Sequence, residues 1–213
     1  MKVILVGATT ICGRISPVGS GSLLDRRRLE AIRDKTHASI MGANTLRLEN
    51  PEMRGTNGTL PPDRIRSIIS QSGSIPVEGK KLFKHDPKPL VFTAKSNIFA
   101  VQGKLMGKAQ VVFLPEGAYG LSLPAAINFL ADKGVESLLI EGGAQLNYSA
   151  LAQGVVDEIM LTIMPFISGE HNGPAFADGP EYLGDPFLEF ELLSCEPVST
   201  GELFLHYRSK RTT

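Results

Sequence analysis

Between residues 109 and 153 the chain alternates strand, helix, strand and helix with almost no slack, and that rhythm commits it to a mostly parallel sheet. Ala109–Leu114 reads as a strand. Ser122 to Lys133 then sets Leu123, Ala126, Ile127 and Leu130 on one helical face and stops at Gly134. Ser137–Ile140 is a short apolar strand, and a helical pattern resumes over 144–153. Strand–helix–strand units join parallel neighbours by a crossover. The same grammar runs upstream. Val3–Ala8 is a continuous apolar run suited to a strand buried on both faces. Ser22 or Asp25 caps an expected helix through Arg33, Ala38–Met41 and Arg64–Ser70 are short strands, and Leu90–Thr93 is another. Val155–Phe166 reads as a long strand ending at Pro165, and Phe187–Leu193 with Glu202–Tyr207 as a closing antiparallel pair. No repeat or long linker divides the 213 residues, so one α/β domain spanning 1–213 is expected.

Charge and composition narrow the function classes. The 22 basic residues balance the 22 acidic ones, which argues against a nucleic-acid module and requires that any substrate phosphate be met locally. No 18-residue apolar stretch is free of charge, so no membrane span is expected, and the first ten residues lack a signal-peptide pattern. A buried strand starting at Val3 leads us to expect no upstream domain. Cys12 and Cys195 are too few and too far apart for a metal motif or a disulfide framework, which fits a reduced, cytoplasmic protein.

Chemistry concentrates at two strand-to-helix junctions. Ser137–Ile140 runs into Glu141, Gly142 and Gly143 before the next helix, an arrangement that offers backbone N–H groups to an anion with a carboxylate beside it; an ordinary turn would read the same way. Met41-Gly42-Ala43-Asn44-Thr45 repeats the device, so the two junctions are expected to flank one dinucleotide. Arg33, near the end of the first helix, is either a phosphate ligand or a solvated arginine. Thr93, at a strand exit, is either a cofactor contact or a satisfied edge hydroxyl. Asp157 and Glu158, at a strand entrance, fit capping or surface roles, and the lysines of 71–89 fit a solvated segment. Neither GxGxxG, Walker loop, G-x-S-x-G elbow, C-x-x-C nor H-E-x-x-H is present. A phosphorylated cofactor with hydride chemistry needs few reactive side chains and fits this inventory.

Several of these segments fall in the order seen in a known family. Thr10–Ile15, Arg33, Met41–Arg47 with Glu49-Asn50-Pro51, Glu141–Asn147, Val156–Glu158 and Pro165–Gly169 together resemble the reductase domain of riboflavin biosynthesis, the RibD C-terminal family, over essentially the whole chain. The resemblance implies a three-layer dihydrofolate reductase-like fold, with a mostly parallel central sheet and C-terminal antiparallel strands. It implies NADPH as cofactor and a phosphorylated pyrimidine whose ribosyl group is reduced to ribityl, and a homodimer through sheet-edge or C-terminal strands. By the same resemblance Ala8, Gly42, Thr45, Glu49 and Thr93 look like cofactor contacts, and Gly142, Gly143, Ala144, Gln145, Leu146 and Asn147 look like the seat of its phosphates. Arg33, Met53 and Arg54 look like substrate contacts, with Ser20 or Ser22 as the serine of the substrate loop. Glu141 looks like the catalytic carboxylate. The chain departs from the family at Cys12 and Glu49, each where an aspartate is usual, and it has no zinc-deaminase motif. Rival readings are an oxidoreductase of the same fold acting on another small substrate, dihydrofolate-like pterins included, and a non-catalytic nucleotide-binding relative.

Overall fold

The computed structural model describes residues 1–15, 21–184 and 187–210. One nine-stranded sheet organises them. Its strands are β1 (Lys2–Thr10), β2 (Ala38–Gly42), β3 (Ile65–Ser70), β4 (Leu90–Ala94), β5 (Gln110–Leu114), β8 (Ser137–Glu141), β9 (Glu158–Met164), β10 (Phe190–Pro197) and β11 (Leu203–Ser209). A small hairpin, β6 (Glu116–Gly117) with β7 (Gly120–Leu121), stands apart from it. The spatial order is β10-β11-β9-β1-β8-β2-β3-β4-β5. Every pairing from β9 to β5 is parallel, and β11 and β10 add antiparallel strands at one edge. The chain moves outward from β2 to β5 and returns to place β8 between β1 and β2, so β1, β8 and β2 surround a reversal of strand order. Ligands of open α/β sheets bind at such a point, beyond the carboxyl ends of the strands.

Five helices cover the two faces in a three-layer arrangement: α1 (Leu23–Asp34), α2 (Ala43–Glu49), α3 (Ile98–Leu105), α4 (Leu123–Ala131) and α5 (Ala144–Ala152). Alternation along β1 sorts the layers. Val3 and Leu5 join Leu138 and Ile140 of β8 against Leu123, Ala126 and Leu130 of α4 and Leu151 of α5. Ile4 and Leu139 point the other way, onto Ile32 of α1. Toward the β5 edge, Leu46 of α2, Val101 and Leu105 of α3, Met53 and Ile68 close a further cluster. Burying a large aliphatic side chain contributes about 1.5–3 kcal/mol, so these three clusters fix which face of each strand the cleft can use.

Some boundaries differ from the sequence expectation for identifiable reasons. β9 begins at Glu158, because the Val155 N–H closes the end of α5 on Ala150 O at 3.2 Å and Asp157 clamps the Val3 amide through its Oδ2 at 2.8 Å. β10 starts at Phe190 and runs to Pro197, with a register shift between Leu192 and Ser194. Helix α3 was not legible: it has no side-chain N-cap bond, and Phe99 is 86% exposed although Val101 and Leu105 are buried. Ser122 and Gly134 (φ +83°) bound α4 as expected. Among the described residues no helix is long and apolar enough to cross a membrane.

Candidate active site

A cleft of about 820 Å³ opens over β9, β1, β8 and β2 on the α1 face, within the range of small-molecule sites. Its floor carries Thr162 of β9, Val6 and Ala8 of β1, Glu141 of β8 and Met41 of β2; α1 and the segment from Thr45 to Arg54 form its walls. Helix α1 is held at both ends. Ser22 Oγ accepts the Asp25 N–H at 3.0 Å, while the Arg64 guanidinium donates to Arg33 O and Thr36 O at the other end.

Glu141 and Arg33 form the centre of the floor. Arg33 Nε donates to Glu141 Oε1 at 3.0 Å and Nη2 to Oε2 at 2.6 Å, a two-pronged pair between side chains 9% and 5% exposed. Arg33 Nη1 donates to Arg54 O at 2.9 Å. A second cation stands behind it: Arg64 Nη2 donates to Ser39 Oγ at 2.7 Å, and the Arg64 charge adds to the pull on Glu141. Burial alone would raise the Glu141 carboxyl, but the Arg33 charge and hydrogen bonds outweigh it and hold the pKa below the usual range. Glu141 is therefore an ionised acceptor near neutral pH. The Glu49 side chain remains accessible to solvent, yet partial desolvation and then the charge of Glu141 push its carboxyl upward, against a smaller pull from Arg33.

The two glycine junctions meet. Neither Gly42 nor Gly143 supplies a side-chain cap to its helix, and a Cβ added to Gly143 would lie 3.5 Å from Thr45 Oγ1. The first intrahelical bond of α5 runs from Asn147 N to Gly143 O at 3.0 Å, so the amides of Ala144, Gln145 and Leu146 have no helical acceptor. Gly142 is required for another reason: a Cβ there would fall 2.3 Å from Asn147 Oδ1.

Of the sequence-predicted contacts, Ala8, Ser22, Arg33, Thr45, Glu49, Arg54, Glu141 and Gly142 all border the cleft, and Gly42 and Gly143–Leu146 flank it. Ser20 lies outside the described residues. Three of the predicted side chains are fully buried. Met53 is fully buried (0% exposed) at φ +57°, packed with Leu46, Ile68 and Leu82, and belongs to the lining of the cleft wall. Thr93 is also fully buried and donates to Ser70 O at 2.9 Å, the satisfied-hydroxyl alternative. Asn147 is buried with Nδ2 donating to Phe176 O at 2.7 Å, so its side chain ties α5 to the 176 loop. Arg33 is neither solvated nor free for phosphate alone, since its fork belongs to Glu141. Asp157 and Glu158 sit at the opposite end of the strands, where Glu158 meets Lys2 at 2.9 Å and His206 at 2.8 Å. Cys12, just past β1, is exposed; hydrogen bonds from Thr10, at 3.2 Å, and then Ser168 lower its thiol to about 6.

A further carboxylate of the cleft was not visible in the sequence. Asp25 was read only as a helix cap, yet it borders the cleft beside Arg28 and Thr162. Its position in the first turn was visible, but its neighbours on β9 were 137 residues away and carried no signal.

The fold is shared with known proteins. Over 184 residues the chain is 28% identical to the 2,5-diamino-6-ribosylamino-4(3H)-pyrimidinone 5′-phosphate reductase of Methanothermobacter thermautotrophicus, covering 83% of each protein. A pyrimidine reductase-like protein from Corynebacterium diphtheriae superposes with a TM-score of 0.80 at 23% identity, over 99% of this chain and 92% of that one. Acinetobacter baumannii RibD superposes with a TM-score of 0.79 at 18% identity, over 98% of this chain but only 58% of the longer RibD chain. Residues 1–204 match the RibD C-terminal domain, and the chain belongs to that family, with its dihydrofolate reductase-like fold.

Proposed function

We propose that the protein is an NADPH-dependent reductase that converts the ribosyl group of a 2,5-diamino- or 5-amino-6-(5-phosphoribosylamino)pyrimidinone to ribityl, acting in the cytoplasm as a homodimer. The observation that carries this reading is the ionised Glu141, clamped by Arg33 on the floor of a cleft at the sheet's reversal point, with two uncapped glycine junctions at its rim.

Those junctions fit a dinucleotide phosphate. The Gly143 end of α5 has no Cβ and no side-chain cap, and its free amides stand beside Thr45. Bound there, NADPH would supply one hydride. The substrate itself must open its C1′–O4′ bond as the exocyclic nitrogen forms a C1′=N bond, with that nitrogen's proton passing to O4′. Hydride then adds to C1′ and one proton to the nitrogen, which balances the reduction. A carboxylate held ionised cannot donate that proton, so Glu141 orients the substrate by accepting its N–H groups and stabilises positive charge developing at the imine. Arg54 and Lys81 stand at the far wall, where a 5′-phosphate would find cations partly neutralised by Glu52.

The test is NADPH oxidation with the diaminopyrimidinone and aminouracil ribosyl phosphates offered separately. Turnover of either supports the reading; tight NADPH binding without turnover of either overturns it.

A further inference from the structure

Helix α1 ends on a residue whose charge works against it. Asp34 is its last residue, where the carbonyl end of a helix disfavours a negative charge. The hydrogen bonds of this exposed carboxylate go to the neighbouring turn: Asp34 Oδ2 accepts the Thr56 N–H at 3.0 Å and Oδ1 accepts the Thr59 hydroxyl at 3.4 Å. The turn closes on itself from Gly55 N to Thr59 O at 2.9 Å and from Gly58 N to Gly55 O at 3.1 Å. Gly55 is shaped to this contact, since a Cβ there would lie 1.7 Å from Asp34 Oδ1.

That turn holds the end of the Arg54 side chain. Arg54 Nη1 donates to Gly58 O at 3.1 Å and Nε donates to Glu52 Oε2 at 2.5 Å. One bond would leave the guanidinium free to swing about it, whereas two fix its plane. Nη2 has no partner among the described residues, and Glu52, Arg54 and Gly58 all line the cleft. The Arg54 backbone is fixed as well, because Arg33 Nη1 donates to Arg54 O at 2.9 Å. Two consecutive residues of α1 therefore serve the two ends of the cleft. Arg33 holds Glu141 and the Arg54 carbonyl, while Asp34, behind the wall, holds the turn that receives the Arg54 guanidinium. Lys81, another cation of this wall, is 58% exposed and meets Glu52 only at 3.9 Å, so it brings charge without a fixed direction.

A planar guanidinium with a free N–H edge in a set direction is suited to a phosphate oxygen. Resting on the function proposed above, we propose that Asp34 is a positioning residue for the substrate's 5′-phosphate: it docks the 55–59 turn on the end of α1, and so fixes the direction in which Arg54 Nη2 meets the phosphate, without touching the ligand itself. Releasing the turn leaves Arg54 its charge and takes away its orientation. The loss is confined to the phosphate, because the Arg33 fork on Glu141 does not pass through the turn.

The test is calorimetric titration of the wild type, Asp34→Ala and Gly55→Ala with the diaminopyrimidinone and aminouracil ribityl 5′-phosphates, each against its dephosphorylated form, alongside kcat and KM for the corresponding substrates. The two variants reach one contact from opposite sides, the first removing the acceptors and the second driving a Cβ into them. The wild type should bind a phosphorylated compound more tightly than its dephosphorylated form. Asp34→Ala should weaken the phosphorylated compound about three- to tenfold, the range of one net hydrogen bond, through KM more than kcat, and leave the dephosphorylated form and NADPH unchanged. Gly55→Ala should shift the same ratio in the same direction. Asp34→Asn keeps a carbonyl oxygen for the Thr56 N–H and should restore most of the preference, which guards against reading a misfolded variant as a positioning effect. Equal losses for both forms, an unchanged ratio in Asp34→Ala, or a wild type indifferent to the phosphate overturn the inference. Binding is read without turnover, so a protein that shows this ratio and its loss yet reduces neither substrate would sink the reductase reading and leave this one standing.

Discussion

Removing Arg33 from its pair with Glu141 is the sharpest perturbation of the floor of the cleft. In Arg33→Met the side chain keeps its length but leaves a buried carboxylate facing Ser39 with no direct cation. Breaking a buried pair from one side costs roughly 3–5 kcal/mol. For a chain of this size that is on the order of 6–20 °C in Tm. The double variant Arg33→Met/Glu141→Leu removes both charges and should recover most of the loss, since an apolar replacement of a buried pair is often neutral. The pH dependence has a definite sign. In the wild type the Glu141 pKa is depressed, so its contribution is present above the unfolded carboxylate pKa and disappears as pH falls through the folded value. In Arg33→Met the unpaired carboxyl is raised instead, and the penalty eases as acid protonates it. The stability gap between the two proteins should therefore narrow steadily from neutral pH toward acid. Urea unfolding across that range measures it. A single variant within 2 °C of the wild type, roughly 1 kcal/mol or less, or a gap that widens in acid, would refute the reasoning.

The two glycines of the β8–α5 junction should separate structure from binding. Gly142→Ala drives a Cβ into Asn147 Oδ1, forcing the Asn147–Phe176 bond to yield, and should cost about 1–3 kcal/mol by urea unfolding. Gly143→Ala meets its nearest neighbour at 3.5 Å, so it should fold with near wild-type stability while NADPH affinity, read by fluorescence titration, falls about tenfold or more. The Cys12 thiol should be alkylated by iodoacetamide with a midpoint near pH 6, moving upward in Thr10→Val because the first of its hydrogen bonds is gone. Ser22→Ala should lose about 1 kcal/mol through the α1 cap, and chemical denaturation would show it.

What was readable in the sequence was local. Apart from α3, the strand–helix order from Ala38 to Ala152 was readable from apolar runs of four to six residues separated by helical periodicity, and Ser122 and Gly134 marked α4 because cap chemistry acts within one turn. Glu141 was readable because it directly precedes two glycines. Its partner was readable only as a type: Arg33 was noticed, but the pairing across 108 residues depends on β8 inserting between β1 and β2. Nor did anything local show that Asp25 and Thr162, 137 residues apart, border one cleft. Arg66 shows the limit from the other side. It lies in a strand that was recognised, yet it is 1% exposed and donates to Glu52 O, His85 O and Pro87 O, tying the cleft wall at Glu52 to the 71–89 segment expected to be solvated. That Met53, Thr93 and Asn147 are buried was not readable, because proximity in sequence to a junction says nothing about which way a side chain turns.

The most direct measurement follows the transferred hydrogen itself. NADPH carrying deuterium on the reactive face of C4 is incubated with the protein and the diaminopyrimidinone ribosyl phosphate, and the product is examined by mass spectrometry and NMR. The account predicts one deuterium, at C1′ of a ribityl chain. Label at any other carbon, or consumption of NADPH with the ribosyl group intact, would contradict it.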